Sequence, residues 1–117
     1  VAMLPEESVL LRIFIGESDK LDGKPLYEWL VVQAKQRGLA GATVLRGMMG
    51  FGAHSKIIHT FKIERLSEDL PIVVEIVDSA EKVEAFLAFA ESHIQRGMLA
   101  TTEKVQVRIY RGGQVAR

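Results

Sequence analysis

The strongest constraint on this chain is the order in which its hydrophobic period switches. Val83, Phe86, Leu87, Ala90 and Ile94 recur at i, i+3, i+4, i+7 and i+11, one apolar stripe of an α-helix. That helix begins near Asp78 or Ser79, where Asp78 and Glu81 have capping-box spacing, and Gly97 closes it. Before it, Ile72–Val77 is a β-branched run interrupted only by Glu75 and preceded by Leu70-Pro71. After it, Lys104–Tyr110 alternates Val105, Val107 and Ile109 with Gln106, Arg108 and Tyr110, the period of a strand. The first half repeats the switch. Val9–Gly16 is apolar except for Arg12 and reads as a buried strand, followed by the polar turn Glu17–Lys24. Pro25 opens a helix that ends before Gly38, with Leu26, Trp29, Leu30 and Ala34 on its stripe, and Ala42–Met49 is the next strand. The order βαββαβ is that of the ferredoxin-like split βαβ arrangement. It predicts an α+β fold: a four-stranded antiparallel sheet with both helices on one face.

Alternation assigns the opposite face of the sheet. Leu10, Arg12 and Phe14 share it with Val44, Arg46 and Met48, with Val73, Glu75 and Val77, and with Gln106, Arg108 and Tyr110. Such a face is too apolar for water and too charged for a core, which predicts that other copies of the chain cover it. The plainer alternative lays the arginines flat over their apolar neighbours. Trp29, at helical spacing, belongs with the core and not with a stacking platform.

The chain's 117 residues are the size of one domain, with 1–7 and 113–117 read as loose tails. Its 15 basic and 15 acidic residues balance, which argues against a dedicated nucleic-acid binder. The absence of cysteine excludes disulfides and thiolate chemistry and agrees with a cytoplasmic setting. No apolar run approaches the roughly 20 residues a bilayer requires, so direct membrane insertion is not expected. Val1–Leu4 followed by Pro5-Glu6-Glu7 is too short and too acidic for a signal peptide.

The second and third strands should be hairpin neighbours, yet Gly50 to Pro71 separates them. Connections longer than about 12–15 residues usually carry function or are mobile. This one opens Gly50-Phe51-Gly52 and becomes strand-like through Ile57, Ile58, Thr60, Phe61 and Ile63. A β-ribbon projecting on glycine hinges and a packed excursion both fit, with the loop placed at about 51–67. Phosphate fingerprints fail: Gly47, Gly50 and Gly52 are in the wrong order for a dinucleotide motif and do not lead from strand to helix. His54, His59 and His93 have no compact metal spacing. Ser55 is merely adjacent to His54, and no nucleophile–base pair or paired acids stand in a recognisable context. The sequence therefore predicts no enzyme, no resident cofactor and no metal.

Three stretches resemble one family: Gly41-Ala42-Thr43-Val44-Leu45-Arg46-Gly47-Met48-Met49-Gly50-Phe51-Gly52, then Leu66–Pro71, then Val74-Glu75-Ile76-Val77-Asp78. It is the bacterial and archaeal domain-of-unknown-function 190 family, or UPF0166, which is similar to the PII signalling proteins. The resemblance runs from about Val9 to Gly113. It implies a homotrimer that binds an adenine nucleotide in clefts between subunits and grips a partner through the long loop. Gly41, Thr43 and Val44 match the Gly-x-Thr-Val that opens the second strand of PII, and Gly50, Phe51 and Gly52 match its Gly-Phe-Gly. His54 stands where PII has a glutamine, Glu75-Ile76-Val77 match its Glu-Ile-Val, and Arg108 and Ile109 begin its phosphate-binding Arg-Ile-Arg. There Tyr110 replaces the second arginine and Arg111 is displaced by one. The Gly-rich lysine loop that wraps a triphosphate in PII is replaced by Gly97-Met98-Leu99-Ala100-Thr101-Thr102.

The resemblance thus implies a small anionic ligand such as AMP or ADP. The residues that carry it to this chain are Gly41, Thr43, Gly50, Phe51, Gly52, His54, Glu75, Arg108 and Arg111. A membrane transporter is the kind of partner implied. Two alternatives stay open: a metal-responsive or ligand-free trimer resembling the divalent-cation tolerance proteins, and a small ferredoxin-like enzyme.

Overall fold

The computed structural model describes residues 3–52, 69–95 and 97–116. The first long strand, β2 (Glu7–Gly16), follows a short β1 (Met3–Pro5) and is the centre of the sheet. It pairs antiparallel with β6 (Pro71–Asp78) on one side and with β7 (Leu99–Gln106) on the other. On the outer side of β6 lies β5 (Thr43–Arg46), giving the four-stranded order β5-β6-β2-β7. Two-residue strands β3 (Lys20–Leu21) and β4 (Lys24–Pro25) form a small ladder before helix α1 (Leu26–Gln36). Helix α2 spans Ala80–His93. The ferredoxin-like α+β fold is present.

Both helices cover one face. Register sets Leu11 opposite Ile76, Ile13 opposite Val74 and Ile15 opposite Ile72. These six side chains are packed against Leu30 and Ala34 of α1 and Val83, Phe86 and Ala90 of α2. Burying one such side chain contributes about 1.5–3 kcal/mol. Trp29 joins the margin of this core, its ring stacked on Phe89 at 5.5 Å.

Pro25 precedes α1 rather than occupying its first turn, and the free N–H of Leu26 is satisfied by the Asp19 carbonyl at 2.7 Å. Past α1, Gly38 takes φ +78° and donates to the Lys35 carbonyl, which turns the chain towards β5. Ser79 caps α2, its hydroxyl accepting from the Lys82 N–H. Asp78 is buried and accepts instead from the N–H groups of Ala40 and Ser79, at 2.9 and 2.7 Å.

The second strand runs opposite to the expected phase. Register pairs Val44 with the buried Val74, and Val44 packs against the core. Thr43 and Leu45 therefore face away from the helices, while Val44 and Arg46 are on the helix side. The strand ends at Arg46, so Met48 and Met49 lie beyond it and are exposed. The last strand is also displaced, to Leu99–Gln106 in place of Lys104–Tyr110. Its limit is set by β2, whose first residue, Glu7, pairs with Gln106. One residue later the Val107 N–H bonds to the Glu6 carbonyl at 2.7 Å, and the chain leaves the sheet. Arg108 and Tyr110 are thus not strand residues.

The segments read as tails hold a pairing of their own, since β1 lies parallel to β8 (Gln114–Ala116).

Candidate functional site

The helix-free face is ordered in rows across the strands. Leu45, Val73, Phe14 and Leu99 form an apolar row from β5 to β7. Beside it Thr43, Glu75, Arg12 and Thr101 form a polar row, and Val77, Leu10 and Glu103 form a third. Leu45 and Leu99 remain 48% and 59% exposed, so among the described residues this row is left open.

At the edge of the face, where β5 begins, lies a cavity of about 280 Å³. Leu4, Leu10 and Val77 supply its apolar wall, Glu75 and Thr43 its polar side chains, and the backbone of Ala40–Ala42 its rim. The rim is fixed from behind by the Asp78–Ala40 bond and by Lys82, whose ammonium donates to the Gly38 carbonyl at 3.1 Å. A Cβ on Gly41 would meet nothing within 4 Å, so packing within the chain does not demand a glycine there. Tyr110 comes from the segment after β7. Its hydroxyl donates to the Ala40 carbonyl at 3.3 Å and its ring lines the cavity. Among the described residues no basic side chain is in the lining.

Glu75 is held by Arg12, its partner across β2 and β6. The Arg12 Nε donates to Glu75 Oε2 at 2.9 Å, and its Nη1 donates to Glu103 Oε1 at 2.8 Å. The hydrogen bonds to Glu75 and then Glu103 hold the guanidinium pKa above its ordinary range. Among the described residues Glu75 therefore pairs with Arg12 and not with Arg108.

The other predicted residues lie elsewhere. Gly50, Phe51 and Gly52 line a second cleft, of about 220 Å³, at the opposite end of the sheet with Gly16, Pro71 and Gly97. At about 3.3 Å per residue, the four residues from Arg12 to Gly16 put this mouth roughly 13 Å from the Glu75 row. Its described charges are the carboxylates of Asp19 and Asp69. Asp19 accepts from the Gly16 N–H within the turn after β2, at 2.8 Å, and Asp69 accepts from the Ser18 N–H, at 2.9 Å, which ties the end of the long loop to that turn. Gly47 N–H donates to the Pro71 carbonyl at 2.7 Å, and Arg46 pairs with Glu17 at 2.9 Å. His54 and most of the 51–67 loop lie outside the described residues. Arg108 and Arg111 are exposed and have no ion pair among the described residues.

One chain thus unites Gly41, Thr43 and Glu75, and does not unite them with Gly50–Gly52. Sequence reasoning did not assign Tyr110 or Arg12 to the site. For Arg12 a signal existed, as the single charge in an otherwise apolar strand. Among the described residues no group of three or more His, Cys, Asp or Glu could hold a metal ion. No described helix is long and apolar enough to cross a membrane.

Comparison with known proteins agrees with this architecture. The profile of the DUF190 family, described as an uncharacterised ACR, matches residues 8–107. A UPF0166 protein of Aquifex aeolicus is 45% identical over 98 residues, 84% of this chain and 90% of the relative. Another, from Methanocaldococcus jannaschii, is 36% identical over 78 residues, 67% of this chain and 70% of the relative. Among solved structures, a PII-like signalling protein of Thermus thermophilus superposes with a TM-score of 0.60 at 21% identity, covering 86% of this chain and 89% of that one. CPII of Thiomonas intermedia, bound to ADP and bicarbonate, gives 0.55 at 20% identity over 86% and 88% of the two chains. The chain belongs to the DUF190 family, the UPF0166 proteins, and its ferredoxin-like fold is of the PII-like kind.

Proposed function

We propose that this protein is a PII-like regulator, acting in the cytoplasm as a homotrimer that takes an adenine nucleotide such as AMP or ADP between subunits. The observation that carries this reading is the half-built cavity on the rim of the open sheet face. It offers an aromatic ring, Tyr110, three aliphatic side chains, Leu4, Leu10 and Val77, and one hydrogen-bonding carboxylate, Glu75. That lining suits an uncharged heteroaromatic base. It does not suit phosphate, because the one charge in its described lining is negative and no described cation accompanies it. The phosphates then point out of the cavity towards Arg108 and Arg111, which are without carboxylate partners among the described residues.

A second copy laid against the apolar row of Leu45, Val73, Phe14 and Leu99 supplies the missing half, the Gly50–Gly52 mouth with its backbone N–H groups and His54. The ADP held by CPII of Thiomonas intermedia supports a nucleotide of this size on this fold. Binding would be reported to a partner, with a membrane transporter as the kind proposed, through the loop at about 51–67. The role is regulatory, with no turnover expected.

Calorimetry on wild type and Arg108→Ala tests the reading. A charge-assisted hydrogen bond is worth roughly 1.5–3 kcal/mol, so the variant should bind ADP about ten- to a hundredfold more weakly while remaining a trimer. Equal affinity in the two proteins would remove Arg108 from the site. A wild type that binds no nucleotide at millimolar concentration would remove the site itself.

A further inference from the structure

We propose that Arg12 is a positioning residue for the base, and that its grip on Glu75 makes the cavity select a base edge with one N–H donor over an edge with two. The inference rests on the reading of this cavity as a base site. Arg12 directs its two described hydrogen bonds to two different carboxylates, Nε to Glu75 and Nη1 to Glu103. A guanidinium is planar and rigid, so donating in two directions at once fixes the orientation of both acceptors. Glu75 Oε2 is occupied by Arg12, and among the described residues no hydrogen bond reaches its other oxygen. Glu75 also lines the cavity. A carboxylate accepts and never donates while ionised. The cavity is thereby lined by a carboxylate with one oxygen already engaged by Arg12 and the other without a described hydrogen bond.

The bases differ at this point. The 6-amino group of adenine offers a single N–H towards one oxygen. The N1–H and 2-amino group of guanine offer two parallel donors and are best met by both oxygens of a carboxylate, one of which Arg12 has taken. The 6-oxo group of guanine adds an acceptor in a lining whose side-chain donors are limited to the hydroxyls of Thr43 and Tyr110, the latter already given to Ala40. The ion pairs are not there mainly for stability. Arg12 is 38% exposed and Glu103 56% exposed, and pairs so open to water contribute little. Their consequence is geometric. Without Arg12, the two carboxylates repel one another, Glu75 loses its fixed orientation, and its second oxygen becomes available.

The test is calorimetric titration of the full chain with ADP and with GDP, comparing wild type, Arg12→Gln, Arg12→Lys and Glu103→Gln, each checked for its oligomeric state. Wild type should prefer ADP by at least tenfold. Arg12→Gln should bring the GDP-to-ADP ratio of Kd values towards unity, and Arg12→Lys, which keeps the charge without the rigid planar fork, should restore part of it. Glu103→Gln, which leaves the Arg12–Glu75 bond in place, should keep the wild-type ratio. A merely structural Arg12 would lower stability without moving the ratio. If wild type prefers ADP and both Arg12 variants keep that preference, the inference falls and the proposed function stands. Should Arg12→Gln fail to fold, an unchanged ratio in Arg12→Lys overturns the inference equally. If wild type does not discriminate between ADP and GDP, the inference falls alone. If it binds neither, both fall.

Discussion

Gly47→Ala puts one methyl group where the root of the long loop leaves the sheet. A Cβ at this position would lie 2.7 Å from Pro71 Cγ and 3.6 Å from Pro71 Cβ. Carbon atoms pack at about 3.5–4.0 Å, so the two atoms must separate by close to 1 Å, through a change of ring pucker or a shift of backbone. The closed ring cannot rotate away as an open side chain would, and the Pro71 carbonyl accepts the Gly47 N–H at 2.7 Å. Overpacking of this kind costs about 1–3 kcal/mol. The threatened hydrogen bond is worth roughly 0.5–1.5 kcal/mol. Against these stands a gain of about 0.4–1 kcal/mol from stiffening the unfolded chain. The net is a loss of about 0.5–4 kcal/mol. At roughly 3–5 °C per kcal/mol for a domain of this size, the melting midpoint should fall by about 2–20 °C at fixed protein concentration. Differential scanning calorimetry is the assay. A variant melting within 1 °C of wild type would mean that Gly47 and Pro71 do not touch as described.

Gly41→Ala is the counterpart: with nothing within 4 Å of the new methyl, stability should hold or rise by up to about 1 kcal/mol, while ADP affinity falls because the methyl enters the cavity rim; unchanged affinity would place the base elsewhere. Ser79→Ala removes the hydroxyl that accepts from Lys82 N–H and should cost about 1 kcal/mol in urea unfolding. Glu17→Gln breaks an ion pair whose arginine is 60% exposed, and a stability change above about 1 kcal/mol would contradict the surface character of that pair. Phe14→Asp puts a charge in the centre of the apolar row and should dissociate the proposed trimer in light scattering without unfolding the chain.

Much of the fold was legible because two kinds of element carry unambiguous periods. Val83 to Ile94 fits only a helix, and the β-branched runs around Leu11–Ile15 and Ile72–Val77 fit only strands buried on one side. β7 was misplaced because Leu99-Ala100-Thr101-Thr102-Glu103-Lys104-Val105-Gln106 is mostly polar, as an edge strand open to water on one face can be. The alternation of Val105, Val107 and Ile109 then drew the strand too far towards the C-terminus. β5 was phased wrongly because Val44 and Leu45 are equally apolar, and only the register with β6 decides which of them faces the core. The same limit hid the Arg12–Glu75 pair. Both residues were assigned to the right face, but their opposition depends on register, which a single sequence does not fix. Gly41, Thr43 and Glu75 are named by the resemblance alone, and these three line one cavity. Tyr110 was read as a lost arginine, and it is an aromatic wall.

Native mass spectrometry of the wild-type protein with ADP counts chains and ligands in one spectrum. A trimer carrying up to three ADP molecules is expected, one for each cavity between neighbouring subunits. A monomer, or a trimer that takes up no ADP at millimolar concentration, would contradict the proposed function.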